Sequence, residues 1–354
     1  MSFPKKTPTI QDVARFAEVS TATVSRALAT PDRVSEGTRA RVADAVSATG
    51  YTLNQSARSL RQRTSRTILV ALPDIRNPFF STILDAIERE AAGRGYGVLV
   101  ANRTEGNDSG RRLQQYFLSN RADGLLLFDG SIGLEQLRVL AGDPARVPVV
   151  LACEEIPFSP FPIVKTDNSA ASQRATQHLI ELGHRRIGHI LAPQGNVLRA
   201  ERQSGFRAAL CAAGLAERSD WLFEGDFTMQ SGVGAAKAYL ALTDRPSGIF
   251  AANDEMAIGF LSTLRAAGIH CPDDLSVIGF DDLDVAPHFW PPLTTMRQPR
   301  EAIGRQAAAT LIDLVENSPY NGGPTRWLLH SQLVVRGSTR AEPHFRENGD
   351  PGRT

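Results

Sequence analysis

At 354 residues the chain exceeds one ordinary domain, and two or three are expected. Its 42 % apolar content is ordinary for a soluble globular protein, and its longest apolar runs, such as residues 68–72, are too short to span a membrane. The net charge of +1 hides an asymmetry: residues 1–66 carry eleven Lys and Arg against five Asp and Glu, and the remainder 28 against 33. A basic small domain on an acidic large one is the electrostatic footprint of a nucleic-acid reader with a separate task behind it.

Residues 1–8 form a polar, Pro-containing arm. The stretch TIQDVARFAEVSTATVSRAL, residues 9–28, then reads as two short helices around a tight turn. Thr9 can cap the first, with Asp12 in the capping-box position. Ile10, Val13, Ala14 and Ala17 fall on one helix face. Glu18, Val19 and Ser20 turn the chain, and Ser20 can cap a second helix over residues 21–28. There Val24, Ala27 and Leu28 face inward, while Thr21, Ala22, Ser25 and Arg26 share the other face. A helix-turn-helix needs this pattern, because its second helix enters the DNA major groove. A plain helical hairpin would share it. Val42, Ala45, Val46 and Thr49 add a third amphipathic helix, from a Ser35 cap to Gly50. A basic stretch follows, NQSARSL at 54–60 and then Arg61, Arg63 and Arg66.

From residue 67 strands and helices alternate. Residues 67–72, 97–101, 122–128 and 147–151 read as strands. Phe80, Ile83, Leu84, Ile87 and Ala91 form a helix face, and residues 111–120 a further helix. After Asp167 the pattern repeats, with strands at 186–191, 248–251 and 276–280. Helices are expected around Ala171–Leu182, around Phe206–Ala213 and over 254–267. Such alternation implies parallel sheets covered on both faces, in two α/β units.

The segment TIQDVARFAEVSTATVSRAL, with VSEGTRARVADAV, Gly50-Tyr51 and N-x-x-A-R-x-L from Asn54 to Leu60, resembles the headpiece and hinge of the LacI/GalR family of bacterial repressors. PDIRNPFF, EGDFT, PPLTTMRQPREAIGR and RGSTR are similar to its nucleoside-responsive branch. The resemblance implies an all-α helix-turn-helix headpiece and an α/β, two-lobed, periplasmic-binding-protein-like core. On this reading the headpiece is 1–53, the hinge helix and linker 54–66, and the effector-binding and dimerisation core 67–341. Lobe one is expected at about 67–165 and 296–322 and lobe two at about 166–295 and 323–341, with the chain crossing three times and a disordered tail at 342–354. The last strands, near 327–329 and 332–336, are assigned to lobe two. No leucine-heptad tail is present, so a homodimer is expected.

The family pattern also implies roles. Thr9, Ser20, Thr21, Ala22, Thr23, Ser25 and Arg26 would meet DNA from the headpiece, and Asn54, Ala57, Arg58 and Leu60 from the hinge. Leu60, apolar among arginines, would be a minor-groove wedge. Arg58, Arg61, Arg63 and Arg66 would contact phosphates. Phe79 and Phe80 follow the first strand, where open α/β sheets bind ligands; one is expected to stack on a ligand ring and the other to enter the core. Arg202 begins the family's R-x-x-G-aromatic signature, and its fixed donors suit a polyol or a base. Asn253 is both a helix cap and a ligand contact. Asp281 is the effector-anchoring acid, and Phe227 a stacking aromatic.

Enzyme signatures are missing: G-x-S-x-G, H-E-x-x-H and Walker loops do not occur. Gly232-Val233-Gly234 lacks the third glycine of a dinucleotide loop. His184 and His189 sit in a turn and a strand, a poor metal site. Cys153, Cys211 and Cys271 form no CxxC, which fits a reducing cytoplasm. The N-terminus has no apolar run of a signal peptide. The expectation is therefore a cytoplasmic, non-enzymatic repressor without metal or cofactor. Its partners would be a pseudo-palindromic double-stranded operator and a sugar or nucleoside effector, with no membrane contact. Solute-binding proteins and sugar- or nucleoside-processing enzymes are the disfavoured alternatives.

Overall fold

The computed structural model describes residues 8–51, 64–102, 109–141, 147–316 and 326–342. The chain divides into two units, Met1–Ser65 and Arg66–Thr354.

The first unit holds helices α1 (Ile10–Phe16), α2 (Thr21–Ala29) and α3 (Glu36–Thr49). Local chemistry fixes their ends. The Asp12 carboxylate reaches back to accept the Thr9 N–H at 2.9 Å, Ser20 Oγ accepts the Thr23 N–H at 3.1 Å, and Ser35 Oγ accepts the Thr38 N–H at 3.4 Å. Gly50 ends α3 at φ 67°, a left-handed conformation that costs glycine little. Val13, Ala14, Ala17, Val24, Ala27, Val42 and Ala45 close a core of small side chains, with Ile10, Leu28 and Val46 packed at its edge.

The second unit consists of two lobes, each built on a six-stranded sheet. Lobe one begins β1 (Thr67–Leu72), α4 (Phe79–Gly93), β2 (Gly97–Asn102), α5 (Ser109–Leu118) and β3 (Gly124–Leu127). It continues α6 (Leu134–Ala141), β4 (Val149–Ala152) and β5 (Ile163–Thr166). Lobe two holds α7 (Asn168–Glu181), β6 (Ile187–Ile190), α8 (Val197–Ala212), β7 (Leu222–Phe223), α9 (Met229–Ala241), β8 (Gly248–Ala251), α10 (Asp254–Ala266), β9 (Ser276–Asp281) and β10 (Thr294–Arg297). The chain returns to lobe one as α11 (Arg300–Glu316) and β11 (Arg326–Leu329), and ends in lobe two with β12 (Gln332–Val334). The strand orders are β11-β5-β4-β3-β1-β2 and β12-β10-β9-β8-β6-β7. All pairings are parallel except β10 with β12. Central strands β3, β4, β8 and β9 are buried along their whole length, as parallel strands covered on both faces must be.

Two strand assignments differ from the sequence reading. The strand at 326–329, assigned to lobe two, pairs in parallel with β5 of lobe one, Trp327 opposite Val164. The strand at 294–297 overlaps the stretch assigned to lobe one from 296, yet pairs with β9 of lobe two, so the crossing falls just after Arg297. Strand partners are long-range choices, and a short run such as RWLL carries no mark of which sheet will take it. Strands β5, β7 and β10 and helices α6, α9 and α11 were not anticipated.

The three crossings are tied together. Thr166 Oγ1 donates to Gln298 Oε1 at 2.7 Å, joining the first crossing to the second. The Asp167 N–H donates to the Leu329 carbonyl at 3.1 Å, joining the first to the third.

Candidate effector cleft and DNA-reading face

In the first unit Thr9, Ser20, Thr21, Ala22 and Arg26 are exposed, and Thr23 and Ser25 half-buried. The inward side of α2 is taken by Val24 and Ala27, which leaves the hydroxyls of Thr21 and Ser25 and the Arg26 guanidinium on the outer surface. That mix can hydrogen-bond base edges and phosphates. Asn54, Ala57, Arg58 and Leu60 of the hinge, like Arg61 and Arg63, lie outside the described residues.

In the second unit the strand ends of both lobes open on one cleft of about 960 Å³. Phe79, Phe80, Arg202, Phe227, Asn253 and Asp281 all line it. They come from two lobes and five separate segments. The two phenylalanines begin α4, packed edge to face at 5.2 Å, and Phe80 meets Phe128 in the same way at 5.8 Å. Both belong to the lobe-one core and both line the cleft.

Arg202 projects from α8 and is only 3 % exposed. Its Nε donates to Asn168 Oδ1 at 3.1 Å, and Nη1 donates to the Ala252 carbonyl. Its guanidinium lies 3.9 Å from the Phe280 ring centroid and 5.6 Å from that of Phe227. Burial lowers its pKa, and Asp281 opposes the shift. Asn253 caps α10 through the Met256 N–H at 2.9 Å, while its Nδ2 donates to the Phe227 carbonyl at 2.9 Å. The cap reading of this residue is therefore seen, and its amide also ties the Phe227 backbone to the cleft wall. Asp281 ends β9 with φ 116°, and Phe227 and Cys153 at the cleft also have positive φ, 69° and 65°. Backbone strain of this kind persists where surrounding structure holds a functional geometry. Burial pushes the Asp281 carboxyl up to about 6, with Arg202 and the Gln298 amide (2.7 Å) pulling it down.

Sequence reasoning missed several lining residues. Glu154 follows β4 and accepts from the Gly130 N–H at 2.8 Å and from Asn196 Nδ2 at 3.1 and 3.2 Å. Burial pushes its carboxyl up to about 7, against those hydrogen bonds. Asp129, Asn168, Asn196 and Gln298 line the same space. All are polar residues at loop or element ends, where periodicity gives no signal. Position just beyond a parallel strand, as for Asp129 and Glu154, was the one available clue.

Two family models match the chain: bacterial regulatory proteins of the lacI family over residues 9–54, and a periplasmic binding protein-like domain over residues 176–339. The HTH-type transcriptional repressor CytR of Escherichia coli is 40 % identical over 341 residues, covering 95 % of this chain and 97 % of the relative. The chain belongs to the LacI family. The family member PurR of Photobacterium profundum, also an HTH-type transcriptional repressor, is 37 % identical over 334 residues, covering 94 % and 98 %. Among solved LacI-family structures, the lac repressor dimer bound to operator and the anti-inducer ONPF superposes with a TM-score of 0.85 at 27 % identity, covering 95 % of this chain and all of that one. The complex of the transcriptional regulator CelR with cellobiose gives 0.70 at 34 %, covering 94 % and 99 %. As a LacI-family protein this chain is a DNA-binding transcriptional regulator with an effector-binding core.

Proposed function

We propose that this regulator is a repressor whose operator binding is set by a sugar or nucleoside held between the two lobes of its core. The observation that carries the reading is convergence: an edge-to-face aromatic pair, a buried guanidinium, a buried carboxyl and two capping amides, from segments far apart in sequence, line one cleft. Apolar ring faces and a few fixed polar groups are what a small polyhydroxyl ligand requires. The lac repressor structure contains a dimer on operator DNA, which supports a homodimer reading a pseudo-palindromic site through paired headpieces.

The ligand would act through the crossings. Asp281 is joined to Gln298, and Gln298 to Thr166, so contact at the carboxyl is felt at two of the three inter-lobe strands. A ligand that prefers one lobe arrangement shifts the population toward it by its difference in affinity. The proposal includes no turnover, and a cytoplasmic site of action. Among the described residues no helix is long and apolar enough to cross a membrane.

A thermal-shift screen of sugars and nucleosides tests the reading, since a bound ligand raises apparent stability by mass action. A compound that stabilises the wild type and not Arg202→Ala supports it. Equal stabilisation of both would place the ligand outside this cleft. Release of a chemically altered product would favour an enzyme.

A further inference from the structure

The effector reading leaves the chemical class of the ligand open, and the cleft's charge narrows it. Six carboxylates line the cleft, those of Asp74, Asp129, Glu154, Asp226, Glu255 and Asp281, against the two guanidiniums of Arg76 and Arg202. Arg76 is taken by Asp74, with contacts of 2.8, 3.0 and 3.2 Å. Arg202 is wired to Asn168 and Ala252 and covered by Phe280.

Helix N-termini are the other common seats for a phosphate. Helices α4, α8, α9 and α10 all begin at the cleft; the last three are capped by a side chain of their own loop, and at α4 Asn77 takes up the first N–H. Asn77 Oδ1 takes the Phe79 N–H at 2.9 Å, and Asn196 Oδ1 the Leu198 N–H at 2.8 Å. Thr228 Oγ1 takes the Ser231 N–H at 3.2 Å, and Asn253 Oδ1 the Met256 N–H at 2.9 Å. Carboxylates stand beside three of these caps. Glu154 accepts from Asn196, Asp226 accepts the Thr228 N–H at 2.9 Å, and Glu255 lies in the first turn of α10. The places where a helix would welcome an anion are thus supplied with the protein's own acids.

We infer that the cleft takes an uncharged ligand with its hydroxyls free, a nucleoside or sugar, and rejects the phosphomonoester of the same compound. This rests on the effector reading above and narrows it. Carboxyl, Asn and Gln groups match hydroxyls and amines as partners, and Phe79, Phe80, Phe128 and Phe227 can cover ring faces. A phosphate dianion would instead enter a half-dry site already crowded with negative charge, where repulsion is poorly screened. At Glu255 the nearby Asp281 and Asp74 charges add to burial in raising the carboxyl, a sign of the negative charge gathered at this end of the cleft.

Titration calorimetry on the full-length chain tests this with cytidine, adenosine and glucose, each beside its phosphomonoester: CMP, AMP and glucose 6-phosphate. At least one parent compound should bind, and its ester should bind more than about tenfold more weakly, the scale of a like-charge juxtaposition. At pH 8, above the raised value of about 7 at which the Glu154 carboxyl ionises, Glu154→Gln should narrow that gap by strengthening the ester relative to the parent. An ester within tenfold of its parent, or tighter, overturns the inference while leaving the cleft as the effector site. An unchanged gap in Glu154→Gln and in Glu255→Gln overturns it too, since exclusion would then come from shape. If no parent compound binds, the sugar or nucleoside reading fails, and the inference with it.

Discussion

Glu154 and Asn196 join the two lobes across the cleft: the Asn196 amide, on the second lobe, donates to both carboxylate oxygens of Glu154 on the first, at 3.1 and 3.2 Å. The same Asn196 caps α8 through its Oδ1. Asn196→Ala therefore removes a helix cap and leaves a buried carboxyl with one partner fewer. The expected loss is about 1–3 kcal/mol of core stability, read as a lower urea midpoint at unchanged slope. A change under about 0.5 kcal/mol, the usual effect of a surface substitution, would mean that neither contact matters.

The Glu154 carboxyl also sets a pH dependence. Its folded pKa, about 7, lies above the ordinary 4.5, so the folded state keeps a proton that the unfolded chain has released. Between these values the unfolded state binds fewer protons, and stability falls as pH rises. The contribution is complete below the ordinary value and lost through about 7. Glu154→Gln removes the proton release, so the variant should gain on the wild type by about 1–3 kcal/mol between pH 5 and pH 7.5. Parallel unfolding curves at the two pH values check this, and an equal change in both proteins would contradict it.

Gly205 explains part of the R-x-x-G-aromatic signature by packing alone. A Cβ there would lie 2.1 Å from the Ser169 carbonyl oxygen of α7. Backbone cannot yield as a flexible side chain does, so Gly205→Ala should destabilise the core by about 1–3 kcal/mol or more. A melting temperature equal to the wild type would show that α7 and α8 can separate freely.

The sequence was legible where the rule is local. Apolar runs located β1, β8 and β9, and Ser20, Ser35 and Gly50 marked helix ends that the structure shows. Arg202 and Asp281 were singled out by family pattern, and the fold brings both to the lining of one cleft. Illegible were the features made by distant partners. RWLL joined the other sheet because β5 offered an open edge, and Glu154 lines the cleft only because folding brought Asn196 to it. Gly232, whose stretch lacks the third glycine of a dinucleotide loop, is a helix contact: a Cβ added there would fall 2.1 Å from the Met256 carbonyl oxygen.

Arg26 stands exposed on the outer face of α2. Arg26→Ala should weaken binding to a duplex selected from a random library by about 1–3 kcal/mol, the range of a lost base contact. Binding to unselected duplex should change less. Equal losses on both, measured by fluorescence anisotropy at fixed salt, would make Arg26 a phosphate contact only.

The coupling of cleft to operator is open to one titration: affinity for the selected duplex, with and without the uncharged ligand from the screen, in wild type and Arg202→Ala. Saturating ligand should change the wild-type affinity by about 5- to 150-fold, the common range of coupling between two sites. Arg202→Ala should bind the duplex as the wild type does without ligand, and should not respond at the same ligand concentration. A wild-type affinity indifferent to saturating ligand, or a variant that responds as the wild type does, would contradict control of DNA binding through this cleft.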